Sequence, residues 1–365
     1  MISQLKSVDP TRTQVLSQSL VSGHWPTALA PMQDVTGLPF MEVVSARGAP
    51  DYFFTEFFRV HASSRLSPDI LSSITENPTN QPVFAQLIGE NIDDLRRTVK
   101  EFRKYSVSGI DLNLGCPAPR VFKKNVGGGL LRTPKKVFEI LKMLRDEVET
   151  LLTVKMRIGF EDDRFFEELL NAININNVDL LSLHARTVTG GYRSNPSYDH
   201  VKKAVRLANC PVLLNGNVSS YTTAKNLRDL TGAFGVMIGR GAIRNPWIFR
   251  QIRELQSGES IFLPKLGDVY EYVKDLYHSL SKPGVDELKR VARMKKFLNF
   301  IGVSIDADGK FLYKMRRART EKDLFSVCEN FLVHKNKQDC YFNLEPFEGL
   351  VARPSSESTE QISCF

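Results

Sequence analysis

Between residues 28 and 238 eight short apolar runs recur, each followed by a loop and then by a helix-length amphipathic segment. That rhythm constrains the fold more than any other feature of the chain. The runs are Ala28–Met32, Tyr52–Thr55, Val83–Leu87, Ile110–Leu114, Thr153–Met156, Leu180–His184, Pro211–Leu214 and Ala233–Ile238. Most are continuous rather than alternating, as expected of parallel strands buried on both faces. The segments at 93–105, 134–149, 162–176 and 219–230 have helical length and period. Eight strands, each leading into a crossover, predict an α/β chain built as a (β/α)8 TIM barrel rather than a doubly wound sheet. No GxGxxG loop follows the first strand, which argues against a dinucleotide-binding Rossmann domain.

The rhythm stops near 256–267, where Gly258, Pro264 and Gly267 mark a linker. Helical stretches near 268–280, 286–301 and 321–333 follow, predicting a small all-helical C-terminal domain. The expected divisions are a polar N-terminal tail (1–24), the barrel (25–257), the helical domain (258–340) and a disordered tail (341–365), Ser-, Glu- and Gln-rich from 352 onward. With 365 residues, 42% hydrophobic and 25% charged, the chain can bury a core without staples. Its five cysteines are scattered and form no CxxC pair, so neither a disulfide framework nor a metal site is expected, and a reducing cytoplasm fits. The N-terminus lacks the apolar core of a signal peptide, and no apolar run reaches the ~18 residues of a membrane helix. Oligomeric state is not readable.

Barrel chemistry gathers at the C-terminal ends of the strands, and here those ends are polar almost without exception. They read Pro31-Met32, Thr55-Glu56, Gln86, Asn113-Leu114-Gly115-Cys116-Pro117, Lys155 and Arg157, His184 and Arg186, Asn215-Gly216-Asn217, and Gly239-Arg240-Gly241. Gly216 and the Gly239–Gly241 run follow the last two strands, where barrels commonly bind phosphate, and Arg240 adds a charge. For the glycine run alone, tight turns are the simpler reading. A lysine at the end of a buried strand needs an anion or a polarised carbonyl. The N1–C2=O edge of a reduced flavin would give Lys155 such a partner. His184 taken singly reads as a structural histidine. Gln86 and Asn215 can present amides to a heteroaromatic edge or simply brace loops. Cys116 lies just beyond a strand, between Gly115 and Pro117, and heads the loop APRVFKKNVGGG. That place suits an acid or a nucleophile; a structural thiol is the equal alternative when the residue is taken alone.

Taken together, the segments APMQDVTGLPF, VFAQLIG, GIDLNLGCPAPRVFKKNVGGGLL, VKMRIG, HARTVTGGY, LLNGNV and VMIGRGA resemble the tRNA-dihydrouridine synthases, flavoenzymes that reduce uridine in transfer RNA. The segment TEFFRV and the GGG run resemble the C branch of the bacterial family more than the B branch. The resemblance implies FMN as cofactor, NADPH as reductant and tRNA as substrate. It implies Cys116 as the general acid that protonates uracil C5, and Asn113 as a group that holds the base. Gln86, Lys155, His184 and the Pro31-Met32 backbone would contact the isoalloxazine ring. Asn215, Gly216, Asn217, Gly239 and Arg240 would cradle the ribityl phosphate, and Arg157 and Arg186 would meet the target nucleotide. Asn217 stands where the family often has an acid. Ala185, Gly190 and Phe122 replace a common glycine, glutamine and asparagine.

The net charge of +8 is unevenly placed. Residues 286–319 hold ten basic and four acidic side chains, leaving only +2 for the rest of the chain. Lys289, Arg293 and Lys296 fall on one stripe, with Leu288, Val291, Met294, Leu298 and Ile301 expected on the other side. Arg120, Lys123, Lys124, Arg132, Lys135 and Lys136 cluster after Cys116, with no acid between 117 and 136. Such placement suits phosphate contacts to nucleic acid. A flavin barrel reducing a free pyrimidine or another small unsaturated substrate would need neither cluster. An RNA-binding protein on a vestigial barrel would not need the strand-end set.

Overall fold

The computed structural model describes Leu16 and residues 24–192, 194–281 and 284–352. They fall into two compact units. The first holds the described residues up to Leu38, Pro50–Val218 and Ala224–Gly239; the second holds Pro39–Ala49, Ser219–Thr223 and the chain from Arg240.

Nine strands form one parallel sheet among the described residues of the first unit. They are β1 (Thr27–Leu29), β2 (Tyr52–Phe54), β3 (Phe58–Arg59), β4 (Val83–Ile88), β5 (Gly109–Leu114), β6 (Leu151–Arg157), β7 (Leu180–His184), β8 (Val212–Asn215) and β9 (Gly235–Ile238). The neighbours run β2-β1-β9-β8-β7-β6-β5-β4-β3, and β2 also pairs with β4, Phe53 opposite Val83, which closes the sheet into a barrel. β3 pairs with the far end of β4, Phe58 opposite Leu87. Thus β2 and β3 are two halves of one stave interrupted at 55–57, and the barrel has the eight staves that the rhythm predicts. At the interruption the buried Glu56 carboxylate accepts from the Asp34 and Val35 amides at 2.9 and 3.0 Å, tying the loop after β1 to the second stave.

Both faces of the staves are covered, as their continuous apolar sequences require. The outer faces meet helices such as Ile92–Phe102, which buries Leu95, Val99 and Phe102. Asn91 caps that helix by accepting from the Asp93 and Asp94 amides, worth about 1 kcal/mol. Inside, alternate residues converge on a floor of Tyr52, Phe54, Phe84, Leu151, Leu180, Leu213 and Met237, with Phe54 stacked on Phe84 at 4.8 Å. Leu16 belongs to this floor, fully buried, and the Tyr52 hydroxyl donates to its carbonyl at 2.7 Å. The segment read as a polar tail therefore contributes a core residue. The rest of 1–23 lies outside the described residues.

The second unit is helical. It includes Ile248–Ser257, Leu266–Leu280, Glu287–Ile301, Lys310–Arg317 and Glu321–Leu332. The helix Lys310–Arg317 is not among the sequence expectations. It is eight residues long and dominated by its basic run, so its buried Phe311, Leu312 and Met315 are hard to see as a stripe. The stretch after Gly258 is pinned rather than loose, since Glu254 accepts from the Phe262 amide at 2.7 Å. Residues 341–352, expected to begin a disordered tail, are likewise docked within this unit. Phe342 is buried and its amide donates to the Pro264 carbonyl, while the Phe347 amide donates to Val303. The stretch YFNLEPFEGLVA is itself largely apolar, and the Ser- and Glu-rich composition begins only after it. Residues 353–365 lie outside the described residues.

Candidate active site

The polar residues toward the strand ends gather on the inner face of the sheet, because side chains two apart on a strand share a face. On β4 through β8 the inward positions above the apolar floor are Gln86, Asp111, Asn113, Thr153, Lys155, Ser182, His184 and Asn215. Register sets Gln86 opposite Asp111, Asp111 opposite Thr153, and Asn113 opposite Lys155. On β9, β1 and β2 the inward set is apolar: Met237, Ala28, Ala30, Tyr52 and Phe54. One sector of the mouth is thus built for hydrogen bonding and the other for packing.

Lys155 lies at the centre of the polar sector. Its ammonium donates to Asn215 Oδ1 at 3.2 Å, its one hydrogen bond among the described residues. The Asn215 amide in turn donates to the Met237 carbonyl at 2.8 Å. Burial, helped by the neighbouring Arg157 charge, lowers the Lys155 pKa to about 8, while the Asp111 and Cys116 side chains act in the opposite direction. Ser182, paired opposite Lys155 in the sheet, has a buried hydroxyl with no partner. A cation with unused donors beside an unpartnered hydroxyl marks where a polar ligand edge would be accommodated.

Cys116 sits half-buried against Phe57, Ile88 and Val121. Its loop is held from below, where Asn113 Oδ1 accepts from the Gly115 and Cys116 amides, each at 3.0 Å. The glycine run beneath is packed too closely for side chains. A Cβ on Gly128 would lie 2.9 Å from the Cys116 carbonyl and 2.6 Å from Val188. Gly127, at φ +58°, would put one 3.2 Å from the Cys116 Cβ. Burial pushes the Cys210 and Cys328 thiols up to about 12.

Several residues read as ligand contacts also brace the rim. Arg157, only 1% exposed, donates through Nε to the Gly115 carbonyl at 3.0 Å. Its Nη1 donates to the Thr187 and Gly191 carbonyls. Arg186 is also buried; it donates to the Ser194 carbonyl at 2.6 Å and to Asn217 Oδ1 at 3.0 Å, and lies 3.4 Å from His184 Nε2. Asn217 thus supplies an acceptor to Arg186 where the family pattern often has a carboxylate. The Asn113 carbonyl is engaged by the cysteine loop, and its Nδ2 donates to Gln86 Oε1 at 2.8 Å. Pro31 and Met32 are half-buried past β1, Gly216 adopts φ +120°, and Gly239 closes β9. Arg240 is half-buried and opens the short helix Arg240–Arg244.

Asp111 is the functional-looking residue that inspection of strand ends misses. It is fully buried, and burial raises its pKa to about 6 although Thr153 and Gln86 donate to it. The signal was in the sequence all the same: Asp111 and Asn113, two apart in GIDLNL, share one face of a buried strand.

In the second unit Lys289 is exposed, and Arg293 and Lys296 are half-buried on the helix Glu287–Ile301. Val291, Met294, Leu298 and Ile301 are buried as expected, but Leu288 is 61% exposed. It stands in the first turn, before the helix meets its neighbours. Other basic residues of this unit are engaged locally. Lys295 donates to the Arg316 carbonyl at 3.1 Å, and Arg316 donates to Asn299 at 2.8 Å. Among the described residues no group of three or more His, Cys, Asp or Glu could hold a metal, and no helix is long and apolar enough to cross a membrane.

A family model described as dihydrouridine synthase matches residues 28–316, from the first strand of the barrel into the helical unit. The chain belongs to the dihydrouridine synthase family. A tRNA-dihydrouridine(16) synthase from Neisseria meningitidis is 28% identical over 312 residues, covering 83% of this chain and 93% of that protein. A probable tRNA-dihydrouridine synthase from Helicobacter pylori is 34% identical over 228 residues, 62% of this chain and 69% of that one. tRNA-dihydrouridine synthase B from Pasteurella multocida is 28% identical over 271 residues, 73% and 80% of the two chains. As a dihydrouridine synthase, this chain is an oxidoreductase, since its product differs from uridine by two hydrogens across C5=C6.

Proposed function

We propose that this dihydrouridine synthase reduces uridine within tRNA to 5,6-dihydrouridine, with FMN as resident cofactor, NADPH as reductant and Cys116 as the proton donor. The observation that carries the reading is the convergence of Cys116 and Lys155 on one barrel mouth, the first on a loop held by Asn113, the second a buried cation with unused donors. The residues present fit a flavin. Lys155 and the unpartnered Ser182 hydroxyl can serve an electron-rich ring edge, flanked by Gln86, His184 and the backbone at Pro31-Met32. Asn215, Gly216, Asn217, Gly239 and the following Arg240 would hold the phosphate, with backbone amides close to its oxygens.

When bound, reduced FMN supplies the hydride that C6 receives. The chain supplies everything else. Cys116 gives its thiol proton to C5, so that one hydride and one proton saturate the double bond. Lys155 balances negative charge at the ring edge, and a ligand there favours its protonated form. Arg157 and Arg186 shape the rim on which the target nucleotide rests. The base must leave its stack in tRNA to reach Cys116, at a cost of a few kcal/mol. Lys289, Arg293 and Lys296 offset part of that cost by holding tRNA phosphates. The reaction belongs in the cytoplasm, where the thiol stays reduced.

Position-resolved mapping of dihydrouridine in tRNA from cells with and without this protein tests the reading. The Neisseria relatives make position 16 the first to examine. Loss of the modification at one or more positions, restored by the wild-type chain, is the expected result. If no position changes and the FMN-loaded protein reduces no tRNA in vitro, the reading is wrong.

A further inference from the structure

We propose that Asp111 is a positioning residue, the fixed end of a hydrogen-bond relay that sets the orientation of the Cys116 loop through Gln86 and Asn113. The relay is continuous. Gln86 Nε2 donates to Asp111 Oδ2 at 2.7 Å, Asn113 Nδ2 donates to Gln86 Oε1 at 2.8 Å, and Asn113 Oδ1 accepts from the Gly115 and Cys116 amides at 3.0 Å. Thr153 Oγ1 donates to the other Asp111 oxygen at 2.6 Å.

What Asp111 supplies is direction. A carboxamide is nearly symmetric in shape, so sterics alone do not tell Gln86 or Asn113 which way to face. An ionised carboxylate only accepts. It therefore obliges Gln86 to present Nε2 to it and Oε1 to Asn113. That acceptor in turn obliges Asn113 to present Nδ2 to Gln86, leaving its oxygen for the two loop amides. Turned over, Asn113 would aim an N–H₂ group at two backbone N–H groups, and the loop would lose both anchors. Buried networks of this kind are stabilising only when every member is satisfied. The Lys155 charge nearby favours the ionised form of Asp111, which burial opposes. Asp111 touches neither the loop nor Cys116; it acts through the two amides.

The inference rests on the reading of Cys116 as proton donor only for its kinetic consequence, and the test separates the two. Asp111→Asn in the full chain keeps the shape but removes the obligation to accept. Hydrogen exchange of the segment 113–118 should then rise at least tenfold at the Gly115 and Cys116 amides, with β6 and β7 protection unchanged. With tRNA, kcat should fall roughly tenfold and KM by less than a factor of two. Adding Gln86→Glu to Asp111→Asn moves the acceptor-only group one step along the relay. The carboxylate at 86 can then accept both from the amide at 111 and from Asn113, so loop protection should return even though flavin contacts at 86 are altered. The double variant also tests the relay if Asp111→Asn alone does not fold. Unchanged loop exchange in Asp111→Asn would overturn the proposal. So would a loss of protection spread evenly over the barrel, or a double variant that folds without regaining loop protection. Raised loop exchange with an unchanged kcat would leave the relay standing and show that loop order does not limit turnover.

Discussion

The two sectors of the barrel interior share one backbone design and differ in almost everything their side chains do. On β9, β1 and β2 the inward residues are Met237, Ala28, Ala30, Tyr52 and Phe54, which fill volume against Phe84 and Leu16. On β4 to β8 the inward residues above the floor of Phe84, Leu151, Leu180 and Leu213 are Gln86, Asp111, Asn113, Thr153, Lys155, Ser182, His184 and Asn215, most of them bound to one another in a defined direction. Parallel strands tolerate either filling, because the ladder satisfies the backbone in both. The apolar sector needs only shape. The polar one needs every donor matched, and the mismatches left at Lys155 and Ser182 lie where a ligand is proposed.

This contrast can be broken in four places. The largest effect is expected from Cys116→Ala, which should lower the rate of uridine reduction by ~10²–10⁴-fold with flavin retained; full activity in that variant would remove the polar sector's chemical purpose. Next, Phe54→Ala on the apolar side should reduce unfolding free energy by about 3–5 kcal/mol. Any loss of activity should track the folded fraction in a denaturant titration, and a rate loss without a stability loss would blur the two sectors. Third, Lys155→Met should weaken FMN retention by about 10- to 100-fold, the scale of a lost charge-assisted hydrogen bond, as read by fluorescence of released flavin. The same lysine makes a signed prediction about pH. Its pKa is lowered from 10.5 to about 8 in the folded chain. Between those values the unfolded chain binds the extra proton, so stability of the flavin-free protein should rise as pH climbs from about 8 towards 10.5. Lys155→Met should flatten that rise. The smallest effect belongs to the second unit. Each alanine substitution at Lys289, Arg293 or Lys296 should raise KM for tRNA a few-fold and reduce the log–log salt slope by ~0.7–0.9 for every phosphate left without its cation. A salt slope unaltered by the triple substitution would exclude that helix from tRNA binding.

The staves were legible in the sequence because burial on both faces demands uninterrupted apolar runs, and the strand ends stood out because so many of them carry polar side chains. What the strand ends did not disclose was direction. Arg157 and Arg186 were visible as cations at the rim, but a sequence does not say whether a guanidinium faces ligand or loop. The carbonyls of Gly115, Thr187 and Gly191 that receive Arg157 come from distant loops, and the one at Ser194 that receives Arg186 comes from further along its own loop. Asp111 was hidden for the opposite reason. Inside GIDLNL it looks like an interruption of an apolar run, and only the register with Gln86 and Thr153 makes it a partner. The helix Lys310–Arg317 escaped because a short, mostly basic stretch shows no clear period. Leu288 was misplaced because a helical stripe does not say where along its length a helix begins to be covered.

The glycines under the cysteine loop carry a consequence for how this protein can diverge. At Gly128 a Cβ would strike both Val188 and the Cys116 carbonyl, and at Gly129 it would lie 2.6 Å from the Phe122 carbonyl. Mutational drift is closed off on the underside of the loop and left open on its rim, where Arg120, Lys123 and Lys124 face solvent. Descendants of this chain can therefore retune the charge that greets an RNA while the bed beneath the thiol stays frozen, so changes in substrate choice should accumulate without passing through an inactive ancestor.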